Sequence, residues 1–258
     1  MRIRLLRHAT LVVEFSGRRL MVDPMLSPAG AMEPVADAAV TARIPMVELP
    51  ISHEELTGLI GSLDGVLVTH THRDHWDQAA VELLPRSIPI VCQLSDQVRI
   101  ADAEFREIEA VEGEVLIGGV RVIRTGGRHG VGELGQRLGP VSGFVLDAPD
   151  EPRLYIAGDT VWCPEVADAL SRHRPHVVVV NAGAAQFRTG GPITMDVPDV
   201  LEVTRAAPVA QVVAVHFETI NHCLLRRADL RAAVDRDGVG ARVRVPADGD
   251  TLAFDRKS

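Results

Sequence analysis

A chain of 258 residues with 46% hydrophobic and 24% charged residues has an ordinary globular balance and is long enough to bury a sizeable core. Its net charge of −8 argues against a nucleic-acid surface, and Lys257 as the sole lysine argues against Schiff-base and P-loop chemistry. Cys92, Cys163 and Cys223 are scattered and odd in number, so no disulfide framework follows and a reducing compartment is expected.

The opening residues 1–8 are too broken by charge for a signal peptide, and no apolar run reaches bilayer length. A soluble cytoplasmic protein without a membrane partner is expected. Residues 3–6, 11–15 and 19–22 read as short strands, with Gly17 marking a tight turn. His8, in the first turn, reads equally as a turn residue and as a pocket residue. Asp23-Pro24 closes the third strand, where an aspartate often only forms the turn. Residues 25–50 are rich in Pro, Ala and Gly without a clean period; they are expected to be a long loop at the pocket. Residues 52–63 read as a helix with Ser52 as N-cap, Glu55 as its capping-box partner and His53 on the surface.

The β-branched run Val66-Leu67-Val68 reads as a buried strand that leads into His70, His72, Asp74 and His75. Residues 76–84 then have helical apolar spacing. Metal-type side chains on a strand-to-helix turn are held by a rigid scaffold and reached by solvent. His70 and His72 share one side of an extended chain, while Asp74 and His75 follow the turn and can face a second point. That spacing suits two metal ions better than one.

Further on, residues 88–92 read as a strand, 95–105 as a helix, and 115–117 with 120–123 as a hairpin about Gly118-Gly119. The hairpin leads to a glycine-rich loop carrying His129; residues 132–140 read as another loop. Residues 141–146 and 153–157 pair as a hairpin that ends at Gly158-Asp159-Thr160. Taken alone, Asp159 would simply cap the helix at residues 164–173, which His173 and His176 flank as solvent-facing residues. A buried strand at 177–180 opens into Asn181, near the same rim. After a helix at 194–206, a strand at 209–215 delivers His216, with His222 on the loop beyond. A helix at 227–234 and a hairpin of residues 242–245 with 252–254 close the chain. No repeat or linker interrupts the alternation, so one domain over residues 1–258 is expected, of class α/β (α+β).

The run His70-Thr71-His72-Arg73-Asp74-His75, followed in order by His129, Asp159 and His216, resembles the His-x-His-x-Asp-His signature of the metallo-β-lactamase superfamily. The resemblance implies a four-layer αββα sandwich. It implies that His70, His72 and His129 hold one divalent ion, that Asp74, His75 and His216 hold a second, and that Asp159 bridges them. It also implies that Asp23 supports the ligands from behind. Imidazole and carboxylate without thiolate suit zinc first, with manganese or iron as alternatives. A hydroxide between the ions would be the nucleophile. No Gly-x-Ser-x-Gly elbow offers a competing one. The candidate catalytic side chains are Asp74, His222 and His8, with His222 as proton donor or substrate-orienting group.

Asp159 in Gly-Asp-Thr argues against true β-lactamases, and His72 against flavodiiron-type members, which carry glutamate there. No basic arm suggests transfer-RNA processing. His8-Ala9-Thr10, Asp23-Pro24, Thr194-Met195-Asp196 and residues 216–222 look like the branch of the ascorbate-6-phosphate lactonase and its relatives. The expected activity is metal-dependent hydrolysis of a small-molecule ester, lactone or phosphoester. A mononuclear iron oxygenase and a metal-binding protein without catalysis are the alternatives. A small-molecule substrate is the expected partner, and a homo-oligomer stays open.

Overall fold

A computed structural model describes residues 1–255; Lys257 lies outside the described residues. β1 (Arg2–Arg7), β2 (Thr10–Phe15) and β3 (Arg18–Val22) form an antiparallel meander. Ser16 and Gly17 turn the second corner at φ of 50° and 73°, the backbone that a two-residue hairpin turn requires. Then follow α1 (His53–Ile60), β4 (Gly65–Val68), α2 (Gln78–Leu83), β5 (Ile90–Cys92), α3 (Gln97–Asp102) and β6 (Ile108–Ala110). β3 to β6 pair in parallel, which needs a crossover between each pair of strands. The Ser52–Glu55 capping box starts α1, and Asp77 caps α2 by accepting from the Ala80 N–H.

The second half follows the same plan with unrelated sequence. β7 (Glu114–Ile117), β8 (Val120–Gly126), β9 (Ser142–Asp147) and β10 (Leu154–Ile156) are antiparallel, with α4 (Gly132–Leu138) inserted after β8. α5 (Pro164–His173), β11 (Val177–Asn181), α6 (Val197–Ala206), β12 (Gln211–Val215), α7 (Arg227–Arg236) and β13 (Val243–Arg244) complete a parallel run. β14 (Thr251–Ala253) crosses back and pairs with β1. The result is two seven-stranded sheets, ordered β14-β1-β2-β3-β4-β5-β6 and β13-β12-β11-β10-β9-β8-β7.

Three apolar layers join the four layers of structure. Between the sheets, Leu5, Phe15, Val22 and Leu67 meet Phe144, Ile156, Val179 and Val215. Outside the first sheet, Val66, Val68 and Ile90 are covered by Leu56, Ala80 and Ile100 of α1, α2 and α3. Outside the second, Val178 and Val212 are covered by Val166, Val200 and Leu230 of α5, α6 and α7. This is the αββα sandwich expected from the resemblance. No described helix is long and apolar enough to cross a membrane.

Four readings change. Residues 132–138 are helical rather than a loop. Gly135 within this helix is needed for packing: a Cβ there would sit 2.8 Å from the Gly130 carbonyl oxygen. The terminal hairpin does not form, because its strands join different sheets. β13 pairs with β12 and β14 with β1, and the Leu5 N–H and C=O bind Asp250 and Gly249 to register the crossover. The helix expected over 95–105 is a 3₁₀ turn at Leu94–Asp96 followed by the short α3. β6, an edge strand, carried too little apolar pattern to be seen.

Candidate metal centre

Strand exits build the site. His8 follows β1, Asp23 follows β3, His70 follows β4, His129 follows β8, Asp159 follows β10, Asn181 ends β11 and His216 follows β12. In α/β sheets this carboxyl edge is where loops converge. Three of these exits are unusual: His8, Asp23 and His216 hold φ of 60°, 45° and 73°. Non-glycine residues stay in that region only when packing and hydrogen bonds fix them. Here the His216 N–H donates to the His8 carbonyl at 2.9 Å, tying the two exits together.

The side chains form three overlapping groups of metal-type donors. One is His70, His72 and His129; the second is His8, Asp74, His75 and His216; the third is His70, His75 and Asp159. Within each group the donor atoms lie within 4.8 Å of one another. Asp159 connects them. Its Oδ2 lies 3.2 Å from His75 Nε2 and 3.7 Å from His129 Nε2, and its Oδ1 lies 3.3 Å from His216 Nε2. All seven residues expected as ligands are therefore brought together, and His8 joins the second group. His8 Nε2 faces Asp74 Oδ2 at 3.4 Å, and its ring lies tilted against that of His216, with 3.6 Å between centroids.

Four of the Nδ1 atoms are tied from outside, which aims the other ring nitrogen inward. His75 Nδ1 donates to Asp23 Oδ2 at 2.8 Å, and His129 Nδ1 to the Ile193 carbonyl at 2.9 Å. His70 Nδ1 meets Thr69 Oγ1 at 3.1 Å, and His216 Nδ1 meets Cys223 Sγ at 3.5 Å. Asp23 is anchored in turn by the Thr69 N–H and hydroxyl, each at 2.8 Å. It therefore supports His75 and is more than a turn former. His75 Nε2 and His216 Nε2 are buried without a hydrogen-bond partner. Two orphaned inward lone pairs among carboxylates fit divalent cations, and the imidazole–carboxylate donor set fits zinc, manganese or iron.

Burial opposes charge throughout the cluster. At Asp74 and Asp159 the neighbouring histidines outweigh it and hold both carboxyls well below the usual carboxylate range. Asp159, Asp23 and Asp74 likewise outweigh burial at His75 and raise it well above the ordinary imidazole value. At His8 and His70 burial wins and both stay neutral.

The rim is made by the loop after β3 and the loop after β12. Arg7, fully buried, donates to the carbonyls of Met25, Ser27 and Val47 and so closes the base of the first loop. Asn221 holds its middle, pairing with Val35 N–H and C=O and with the Val40 carbonyl. Arg73, between the ligand-type residues, reaches the Pro34 carbonyl at 3.0 Å. His222 is buried beside Phe187, with ring centroids 5.8 Å apart. Burial lowers its pKa to about 4. His53 and His176 are exposed and away from the site, as expected, and His173 is half-buried. A separate cavity of about 670 Å³ opens near the amino ends of β11 and β12, beside β14; it gathers no metal-type group among the described residues.

A beta-lactamase superfamily domain pattern matches residues 18–217. The chain belongs to that superfamily. Within it, the chain is 34% identical over 257 residues to the UPF0173 protein YddR of Bacillus subtilis (strain 168), covering 98% of this chain and 100% of that one. Among solved structures it is similar to the isothiocyanate hydrolase from Delia radicum gut bacteria, with 38% identity, a TM-score of 0.93, and 99% and 100% of the two chains covered. It is also similar to a possible metal-dependent hydrolase from Veillonella parvula DSM 2008, with 32% identity, a TM-score of 0.94, and 98% and 99% covered. Two partners of the superfamily's ligand-type residues escaped the sequence reading. Asn181 Nδ2 donates to Asp159 Oδ1 at 2.6 Å, and Cys223 sits on His216. Asn181 had a usable signal, since it ends a buried strand at the same edge as the others; Cys223 had none.

Proposed function

We propose that the protein is a hydrolase that uses two divalent metal ions to attack an electrophilic centre in a small molecule. The observation that carries this reading is Asp159, which turns one oxygen toward His75 and His129 and the other toward His216. In this reading His70, His72 and His129 hold one ion, Asp74, His75 and His216 the other, and Asp159 serves both. Donors drawn from the carboxyl edges of both sheets support one domain over residues 1–258. Bound ions supply an activated water and polarise the electrophile. Everything else falls to the chain. Asp23, Ile193 and Thr69 keep the imidazoles aimed inward. His8, neutral and packed against His216, steadies the Asp74 carboxylate. His222, uncharged at neutral pH, suits a hydrogen bond that orients substrate better than it suits the role of a charged proton donor. The rim loops limit access of bulk water.

The 38% identical isothiocyanate hydrolase supports an isothiocyanate carbon as the first substrate class. The balanced reaction is R–N=C=S plus one water giving R–NH₂ plus O=C=S. The C–O bond forms, the C–N bond breaks, and both water protons end on nitrogen. Lactones, esters and phosphoesters are the other arms of the same assay. The test uses protein reconstituted with Zn²⁺ or Mn²⁺ and alkyl and aryl isothiocyanates, reading amine and carbonyl sulfide release. Turnover lost together with metal in Asp159→Ala supports the reading. Two ions bound with no turnover on any class makes the chain a binding protein, and oxygen uptake by the iron form makes it an oxygenase.

A further inference from the structure

Asn181 ends β11, directly opposite Val215 in the register, one residue before His216. Its strand is buried along its whole length, and its carbonyl accepts from the Met195 N–H at 3.0 Å, so its backbone is fixed on both sides. The side chain is buried to 3% exposure, and Nδ2 lies 2.6 Å from Asp159 Oδ1. That is a short contact for a neutral amide, as expected when the acceptor is ionised. The ion-pair partners of Asp159 are His75, His129 and His216, all histidines of the cluster itself. Asn181 is therefore an anchor that does not belong to the donor groups.

We propose that Asn181 is a positioning residue for Asp159. Its amide fixes the carboxylate plane so that Oδ2 faces His75 and His129 while Oδ1 faces His216, and the carboxylate spans both histidine groups. A carboxylate can span two cations only in a narrow range of its terminal torsion, and that torsion is broad when nothing holds it. The choice of an amide has a reason. An arginine or lysine in this place would hold Asp159 equally well but would neutralise it and repel cations. A neutral donor orients the carboxylate and leaves its charge for the ions. Partners of this kind typically change metal affinity by about 10–100-fold. The inference rests on the two-ion reading above.

The experiment loads wild-type protein, Asn181→Ala and Asn181→Leu with Mn²⁺. It records stoichiometry and affinities by equilibrium dialysis, and ion–ion spin coupling by electron paramagnetic resonance. The metal-free melting temperature of each protein is the control for fold. The expected result is two coupled ions in the wild type. Both variants should fold, bind the second ion about 10–100-fold more weakly, and lose most of the coupled signal. Leucine fills the amide's volume, so it decides the matter if alanine leaves the strand end too loose to fold. Folded variants with wild-type affinities and coupling overturn the proposal. Failure of both to fold makes Asn181 a packing residue and overturns it too. A wild type that holds fewer than two ions instead defeats the two-ion reading, and the positioning role with it.

Discussion

Replacing Asp23 separates a turn former from a support of the metal centre. The carboxylate accepts three buried hydrogen bonds: Oδ1 from the Thr69 N–H, and Oδ2 from the Thr69 hydroxyl and His75 Nδ1, each at 2.8 Å. In Asp23→Ala the Thr69 hydroxyl can turn to His70 Nδ1, 3.1 Å away, which leaves the Thr69 N–H and the His75 N–H unmet. An unmet buried donor costs about 1–3 kcal/mol, so alanine should cost about 2–6 kcal/mol of stability. That is a large share of the roughly 5–15 kcal/mol of a typical domain. Asp23→Asn is the sharper probe. Asparagine tolerates the left-handed backbone at φ 45° and keeps the bond from the Thr69 N–H. Its NH₂, however, would take the place of Oδ2 and face His75 Nδ1. His75 would then have to accept there and carry its proton on Nε2, the atom aimed at Asp159. Asparagine should therefore cost little in stability yet weaken metal binding by about 10–100-fold. Urea unfolding of the metal-free proteins measures the first quantity, and competition against a chromogenic chelator measures the second. Wild-type metal affinity in Asp23→Asn would refute the reasoning and return Asp23 to a turn.

A Cβ on Gly183 would lie 2.1 Å from the His216 carbonyl oxygen and 3.1 Å from Cys223 Sγ. Gly183→Ala should thus lower stability by about 1–3 kcal/mol, read by thermal unfolding, and displace His216. Asn221→Ala removes the three hydrogen bonds that hold Val35 and Val40, worth about 1 kcal/mol net each. It should raise KM about tenfold or more with metal content unchanged; an unaltered KM would make the loop over residues 25–50 a passive insertion. His222→Gln should keep both ions and lower kcat about tenfold, the loss of one hydrogen bond of roughly 1.4 kcal/mol. Unchanged turnover on every substrate would remove His222 from the site.

The sequence by itself determined the fold family and every residue of the three donor groups except His8. It could do so because each expected ligand lies shortly beyond the exit of a strand, so local pattern and local chemistry coincide. His70, His72, Asp74 and His75 are legible from six residues of chain, and His129, Asp159 and His216 from their order after them. Local pattern also placed the capping box of α1 and the limits of α5. The tertiary structure decided what depends on distant partners. His8 reads equally as a turn and as a pocket residue until the two sheets pack and bring the ends of β1 and β12 together, when its ring lies tilted against His216. Asn181 reads as a strand end until β10 lies beside β11 and brings Asp159 within 2.6 Å. Arg7 is one of the charges that break the opening run, yet it is fully buried because three loop carbonyls replace its water. β13 and β14 read as a hairpin because proximity in sequence is the only cue for such short strands. Their true partners, β12 and β1, exist as templates only once both sheets have formed. Burial and pairing with residues far along the chain carry no local signature, and they are what convert a legible list of ligands into an oriented site.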